Sequence, residues 1–569
     1  MCGIIGSVGK CNHYQMIIDG LKLLEYRGYD SSGVGYLVDG KIEVIKSIGK
    51  VKNLEKKLKK FNASAAIGHT RWATHGKISK ENTHPFISNH GIFSLVHNGT
   101  IDNFLELKKE LIINGYFFHG ETDSEVVVNY LEYLYLLNED MDESLFLLDK
   151  KLSGSYSLVI LFNKENRIYF LKNQTSLLIS KIDNGYLISS DLYAFNQELV
   201  NYYEIEDHQY GYIDQNDMKI YQNKSNIKPK FKRTKISSTR LIEHECYLEK
   251  EILETPELIE KQIEYYTLMN GKNIPSRIIK KLKEATKITI LACGTSYHAG
   301  LIMKRLWKNK NIDVILASEF DCDTLTQYDE NSVFILISQS GETFDLIKVH
   351  QLIKDHYVLG ITNNVNSRIA RLVDDHLNIM MEKEISVAST KAYFGEVIML
   401  YLLINKINKL DNQDLLLLPE YLKKIIERKK EIVAMAKQIK KYPSLYFIGK
   451  GIDHDISLET SLKLKEITYI HSEAICLGEL KHGPLSLINK KFPVILIDSG
   501  NVNKEAIKVA KNEIISRNGI IFQLDTYNEY SLNFLVEVYW GDLLALYVGK
   551  KLKVNLDKPR NLAKSVTVE

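Results

Sequence analysis

The sequence predicts an α+β domain followed by two copies of an α/β unit with parallel sheets, and three observations predict it. Residues 1 to about 222 read as short strands separated by Gly and Asn turns, with few helices. Beyond a polar, basic stretch, continuous apolar runs of strand length alternate with helical patterns. A strand followed by a glycine-containing turn occurs in each half of that region, at Gly294-Thr295-Ser296 and at Gly449-Lys450-Gly451. A chain of 569 residues is also too long for one core.

The elements follow in order. Residues 65–69, 92–96, 156–161 and 168–171 are bounded apolar runs of strand length. Residues 124–137 have the apolar spacing of a core helix. The Lys56-Lys57-Leu58-Lys59-Lys60 run reads as a solvated helix face. From 223 to about 240 the chain is polar and basic, a linker candidate. Residues 288–292, 333–337, 358–361, 445–448, 494–497 and 520–522 then read as buried parallel strands.

Composition excludes more than it selects. The 74 basic and 71 acidic residues leave a net charge of +3, no reason to expect nucleic acid as partner. The six cysteines include no C-x-x-C pair, so no clustered metal-ligand spacing is present in the sequence. The most apolar run, residues 397–404, is far short of the roughly 18–20 residues of a membrane span. With no apolar signal segment at the N-terminus, a reducing cytoplasm is expected, and no membrane partner.

Chemistry begins at Cys2. Its small side chain permits removal of Met1, which would place a thiol and a free α-amino group on one residue. A thiolate attacking a carboxamide needs oxyanion donors, a cation for a substrate carboxylate and an anion for a substrate amine. His97-Asn98-Gly99-Thr100 offers a side-chain amide beside a glycine N–H, Arg71 a forked cation, and Glu121-Thr122-Asp123-Ser124 acidity before a helix. Singly, each has a plainer account as a turn, a surface arginine or a helix cap. Jointly, with Cys2, they specify a pocket for glutamine.

These motifs, with Glu25-Tyr26-Arg27-Gly28-Tyr29-Asp30-Ser31, resemble the N-terminal-nucleophile glutaminase domain of the class II amidotransferases. The resemblance implies sandwiched β-sheets with helices and Cys2 as nucleophile. It also implies Asn98 and Gly99 as oxyanion hole, and Arg71, Thr74, His75 and Asp123 as glutamine ligands. Trp72 matches a residue that gates ammonia passage.

In the second region Ser338-Gln339-Ser340-Gly341-Glu342-Thr343 follows a strand and precedes a helix, where hydroxyls and free N–H groups form an anion site. A hydroxyl-rich cap with no ligand fits the same spacing. Cys293-Gly294-Thr295-Ser296 and Val387-Ala388-Ser389-Thr390-Lys391 are further hydroxyl-rich junctions. No P-loop or G-x-G-x-x-G occurs, so a sugar phosphate fits better than a nucleotide. Lys463 and Glu466 share a helix face, as a surface ion pair also would. His482 lies between turn residues, and Lys564 in a terminal segment where fraying is the default.

Residues from about 240 to the end resemble the isomerase half of the glutamine–fructose-6-phosphate aminotransferases, built from two sugar-isomerase (SIS) domains. The resemblance implies that Lys564 forms an imine with the open-chain ketose, Glu466 moves a proton between C1 and C2, and Lys463 stabilises the enolamine. His482, supplied by a neighbouring subunit in the family, would assist ring opening, and a homodimer is expected. Thr295, Ser296, Ser338, Gln339, Ser340, Thr343, Val387 and Ala563 would hold the sugar phosphate. L-Glutamine and D-fructose 6-phosphate are the expected substrates. No cofactor and no metal is required, because imine and carboxylate chemistry suffice. The expected domains are 2–222 (glutaminase), 223–245 (linker), 246–425 (first SIS domain with leading helices), 426–558 (second SIS domain) and 559–569 (catalytic tail).

Overall fold

Strand Gly3–Gly9 is apolar on both faces, and that dictates buried layers on each side of it. Ile4 and Val8 pack into a core shared with Val96, Val159, Leu161 and Phe170 of a second sheet. Ile5 faces the other way, onto Ile17, Ile18 and Leu21 of the helix His13–Leu24. The computed structural model that establishes this describes residues 2–72, 76–197, 199–235, 244–271, 273–365, 367–500, 504–523 and 526–564. The chain divides into two compact units at about residue 238.

The first unit is a sandwich of two antiparallel sheets. One has eight strands in the order Lys232–Lys235, Leu199–Glu204, Leu178–Ile182, Gly185–Ser189, Gly3–Gly9, Ala65–Arg71, Ser31–Val38, Lys41–Ile48. The other has seven, running Ser225–Asn226, Met218–Gln222, Gln209–Ile213, Ile168–Asn173, Gly154–Phe162, Phe93–Ile101, Phe86–Ile87. Helices Phe104–Ile113, Asp123–Asn138 and Met141–Lys151 cover the outer face of the second sheet. The stretch expected as a linker contributes two of these strands. Lys232–Lys235 is a short, lysine-bearing edge strand, whose polarity suits an edge and conceals it from apolar periodicity.

The second unit contains two parallel sheets. In the five-stranded one the order is Ile312–Leu316, Ile288–Ala292, Val333–Ser338, Tyr357–Thr362, Asp375–Asn378. In the four-stranded one it is His471–Cys476, Ser444–Gly449, Val494–Leu496, Ile521–Phe522. In both, the strand that comes first in the chain lies between the second and the third, so the two sheets repeat one topology. Their continuous apolar strands are buried on both faces, the pattern of a parallel sheet covered by helices. Helices Tyr247–Gly271, Lys391–Asn408 and Asn533–Leu552 join the two sheets in one core.

The strand order reverses at the first strand, which places a crevice at the carboxyl ends of Ile288–Ala292 and Val333–Ser338, where open α/β sheets bind ligands. Among the described residues, no helix is long and apolar enough to cross a membrane.

Candidate active sites

In the first unit, register brings together most of the residues expected to handle glutamine. Gly3 pairs with Thr70 across the central strands, which sets Arg71 and Trp72 alongside Cys2. The Trp72 backbone N–H donates to Cys2 Sγ at 3.4 Å, and the Trp72 carbonyl lies 3.6 Å from the same sulfur. The Cys2 carbonyl accepts from Arg27 Nε at 3.1 Å and from Asn98 Nδ2 at 3.2 Å, which fixes the Cys2 backbone. Asn98 and Gly99 arrive on Phe93–Ile101 of the other sheet. Gly99 has φ +120°, and a Cβ there would lie 1.9 Å from the Ser155 carbonyl oxygen, so no side chain fits.

Arg71 is buried at the end of its strand. Burial pulls its guanidinium below the ordinary pKa, with Cys2, Asp30 and Asp123 close enough to oppose that. Asp123 opens the helix Asp123–Asn138 and accepts the Ile101 N–H at 3.0 Å. The Trp72 ring stands edge-on to Tyr29 with centroids 5.4 Å apart. The expected ligands Thr74 and His75 lie outside the described residues.

The second unit holds a denser constellation. Lys463 is 1 % exposed, so its pair with Glu466 (2.7 Å) is no surface decoration. Lys463 Nζ also donates to Thr295 Oγ1 at 3.0 Å and lies 3.5 Å from Glu459. Burial opposes the Lys463 charge, but Glu466 and Glu459 raise its pKa above the ordinary value. Burial would likewise raise Glu459; Lys463, His298 and Thr295 instead hold it below the usual carboxylate range. Two helices, Gly294–Leu306 and Ile452–Thr468, are thereby joined through Thr295, His298, Glu459 and Lys463.

At the crevice, Ser338 Oγ bonds Thr343 Oγ1 at 2.8 Å and accepts the Gly341 N–H at 3.0 Å. Ser340 Oγ accepts the Glu342 N–H, and the Gln339 carbonyl accepts the Asn363 N–H. Gly341 has φ +68°, and a Cβ there would collide with Ser367 at 2.0 Å. The turn ahead of helix Phe344–Ile353 therefore has one fixed shape, with hydroxyls gathered at a helix N-terminus.

Lys564 is not frayed. Its side chain is 5 % exposed and its Nζ sits 2.5 Å from Oε2 of Glu384, which is fully buried. Burial works against the Glu384 carboxylate, yet Lys564, Ser389 and the Thr390 N–H hold its pKa well below the usual range. The same loop is tied to the segment leading into the tail, because the Val387 N–H donates to the Asp557 carbonyl at 2.9 Å. Ala563 is half-buried beside Lys564. His482 ends the short helix Leu477–His482, is exposed, and takes no part in the Lys463 network among the described residues.

Sequence reasoning missed Glu384, Glu459, His298 and Glu396. Glu459 stood four residues before Lys463, on the same helix face, and could have been found there. Glu396 accepts from Ser296 Oγ at 2.8 Å, which orients that hydroxyl. Burial above all, with Glu384 and Glu459 adding negative charge, pushes the Glu396 carboxyl up to about 8. A carboxyl raised in the fold binds its proton on folding, so its stabilising form is complete below its unfolded pKa of 4.5 and is lost as pH rises toward 8. Glu396→Gln mimics the protonated acid, and its Tm is expected to fall less than the wild type's between about pH 5 and pH 8. Parallel Tm profiles would contradict the assignment.

A glutamine amidotransferase domain profile matches residues 69–197, and a SIS domain profile matches residues 281–406 and 438–525. The glutamine–fructose-6-phosphate aminotransferase (isomerizing) of Staphylococcus aureus is 36 % identical over the whole of both chains. The chain belongs to the glutamine–fructose-6-phosphate aminotransferase family. The family's Clostridium acetobutylicum member is 35 % identical, again over the whole of both chains. For the fold alone, a solved glucosamine-6-phosphate deaminase of Thermotoga maritima covers 56 % of this chain and 99 % of its own, at 21 % identity and a TM-score of 0.50. Family membership thus joins the glutaminase sandwich and the paired parallel sheets in one enzyme architecture.

Proposed function

We propose that this chain converts D-fructose 6-phosphate and L-glutamine to D-glucosamine 6-phosphate and L-glutamate. Cys2 attacks the glutamine amide, Asn98 and Gly99 receive the oxyanion, and Arg71 and Asp123, with Thr74 and His75, hold the amino-acid end. Trp72 gates the released ammonia, which the second unit consumes. There Ser338, Gln339, Ser340 and Thr343, with Thr295, Ser296, Val387 and Ala563, hold the sugar phosphate.

Lys564 must lose a proton before its amine attacks the ketose carbon, and Glu384 is the carboxylate that touches it. Glu466 then carries a proton between C1 and C2, while Lys463 offers positive charge to the enolamine. His482 acts across a dimer, which accords with its exposure in the single chain. Within these domains, residues 559–569 form the catalytic tail.

The observation that carries the reading is Lys564: an amine near the end of the chain, withdrawn from solvent and seated on a buried carboxylate. An imine-forming step needs such a group, and a merely terminal lysine has no reason to be held so. The test is product analysis with fructose 6-phosphate and glutamine labelled on the amide nitrogen. Label is expected on the sugar amine; label confined to free ammonia would overturn the reading.

A further inference from the structure

His69 is the fully buried residue on which the amide of Asn98 rests. Its Nε2 lies 3.0 Å from the His97 carbonyl oxygen and 3.1 Å from Asn98 Oδ1. A backbone carbonyl can only accept, so Nε2 carries the ring's hydrogen. The Asn98 atom beside that N–H must then be the acceptor, Oδ1, and the amide nitrogen must point the other way. The other end is checked independently: Asn98 Nδ2 lies 3.2 Å from the Cys2 carbonyl oxygen, again an obligate acceptor.

Two carbonyls that cannot flip therefore dictate both ends of the Asn98 side chain. One Nδ2 hydrogen goes to the Cys2 carbonyl, leaving the second for an oxyanion formed at Cys2 Sγ. The ring itself is packed against His84, tilted by 39° with centroids 4.0 Å apart. Burial keeps the ring neutral, lowering its pKa to about 3, so it retains one N–H across the physiological range.

We infer that His69 is a positioning residue for the oxyanion hole: its single N–H clamps residues 97 and 98 together and aims the Asn98 amide at the nucleophile. This rests on the proposed role of Asn98. Without the clamp, the Asn98 amide can rotate and present its oxygen, which repels an oxyanion instead of stabilising it.

The test compares His69→Phe, which keeps a ring against His84 but has no donor, with His69→Gln, which restores one. Three rates are read on the full chain: glutamine hydrolysis, alkylation of Cys2 by iodoacetamide, and sugar amination from ammonia. Alkylation is a displacement at carbon with no oxyanion, so a positioning role leaves it unchanged. His69→Phe is expected to lower kcat for glutamine hydrolysis about 10²-fold, the scale of one lost oxyanion donor, with alkylation and ammonia-dependent synthesis near wild type. His69→Gln is expected to recover most of the loss. Hydrolysis within twofold of wild type in His69→Phe, while Asn98→Ala is impaired, would overturn the inference. So would alkylation falling in step with hydrolysis, the mark of general disorder at the site. Full activity in Asn98→Ala would instead refute the oxyanion assignment on which the inference stands.

Discussion

Cys2→Ala is expected to lower glutamine-dependent synthesis by about 10⁶-fold, the scale on which covalent hydrolases lose kcat with their nucleophile. Synthesis from high concentrations of ammonium salt is expected to survive. The division follows from where the groups lie: Cys2, Asn98 and Trp72 belong to the first compact unit, and Lys463, Glu466 and Lys564 to the second. Loss of the thiol removes two contacts, both with the Trp72 backbone, and leaves the carbonyl that Arg27 and Asn98 hold. The variant should therefore fold, and glutamine should still bind. The measurement is glucosamine 6-phosphate formation with each nitrogen source. Normal use of glutamine by the variant would remove Cys2 from the mechanism; loss of both activities would show that the thiol serves the fold.

How much of this was legible depended on how far apart the interacting groups lie. The parallel strands were readable because burial on both faces makes each a continuous apolar run, as in Val333–Ser338. The turn at Gly341 was readable because a hydroxyl-rich turn between strand and helix is a local pattern. Lys463 and Glu466 were visible as a helical pair, but not their burial, which depends on elements elsewhere in the chain. Glu384 was invisible: it meets Lys564 across 180 positions, and nothing around residue 384 signals a lysine. His69 drew no role beside Arg71, Trp72, Thr74 and His75, because what it holds lies on another sheet. Strand Lys232–Lys235 escaped for a different reason, since it lies along a polar edge and its residues carry no apolar alternation.

Lys564→Arg is expected to abolish synthesis while preserving the fold, and the contrast with Lys564→Ala separates chemistry from stability. A guanidinium keeps the positive charge opposite Glu384 but stays protonated, so it cannot form an imine. Synthesis should fall on the order of 10⁴–10⁶-fold in both variants, from glutamine and from ammonia alike. Only Lys564→Ala leaves Glu384 buried without its counter-ion, a change that costs about 3–5 kcal/mol when one partner of a buried pair is removed. Its Tm should drop, and the arginine variant's should stay closer to wild type. Borohydride reduction in the presence of fructose 6-phosphate provides the direct check, because it converts an imine into a stable amine. Wild type should gain one sugar phosphate at Lys564, and neither variant should. Sugar trapped on another lysine, or synthesis by Lys564→Arg within tenfold of wild type, would reduce the Glu384 pair to an anchor for the tail.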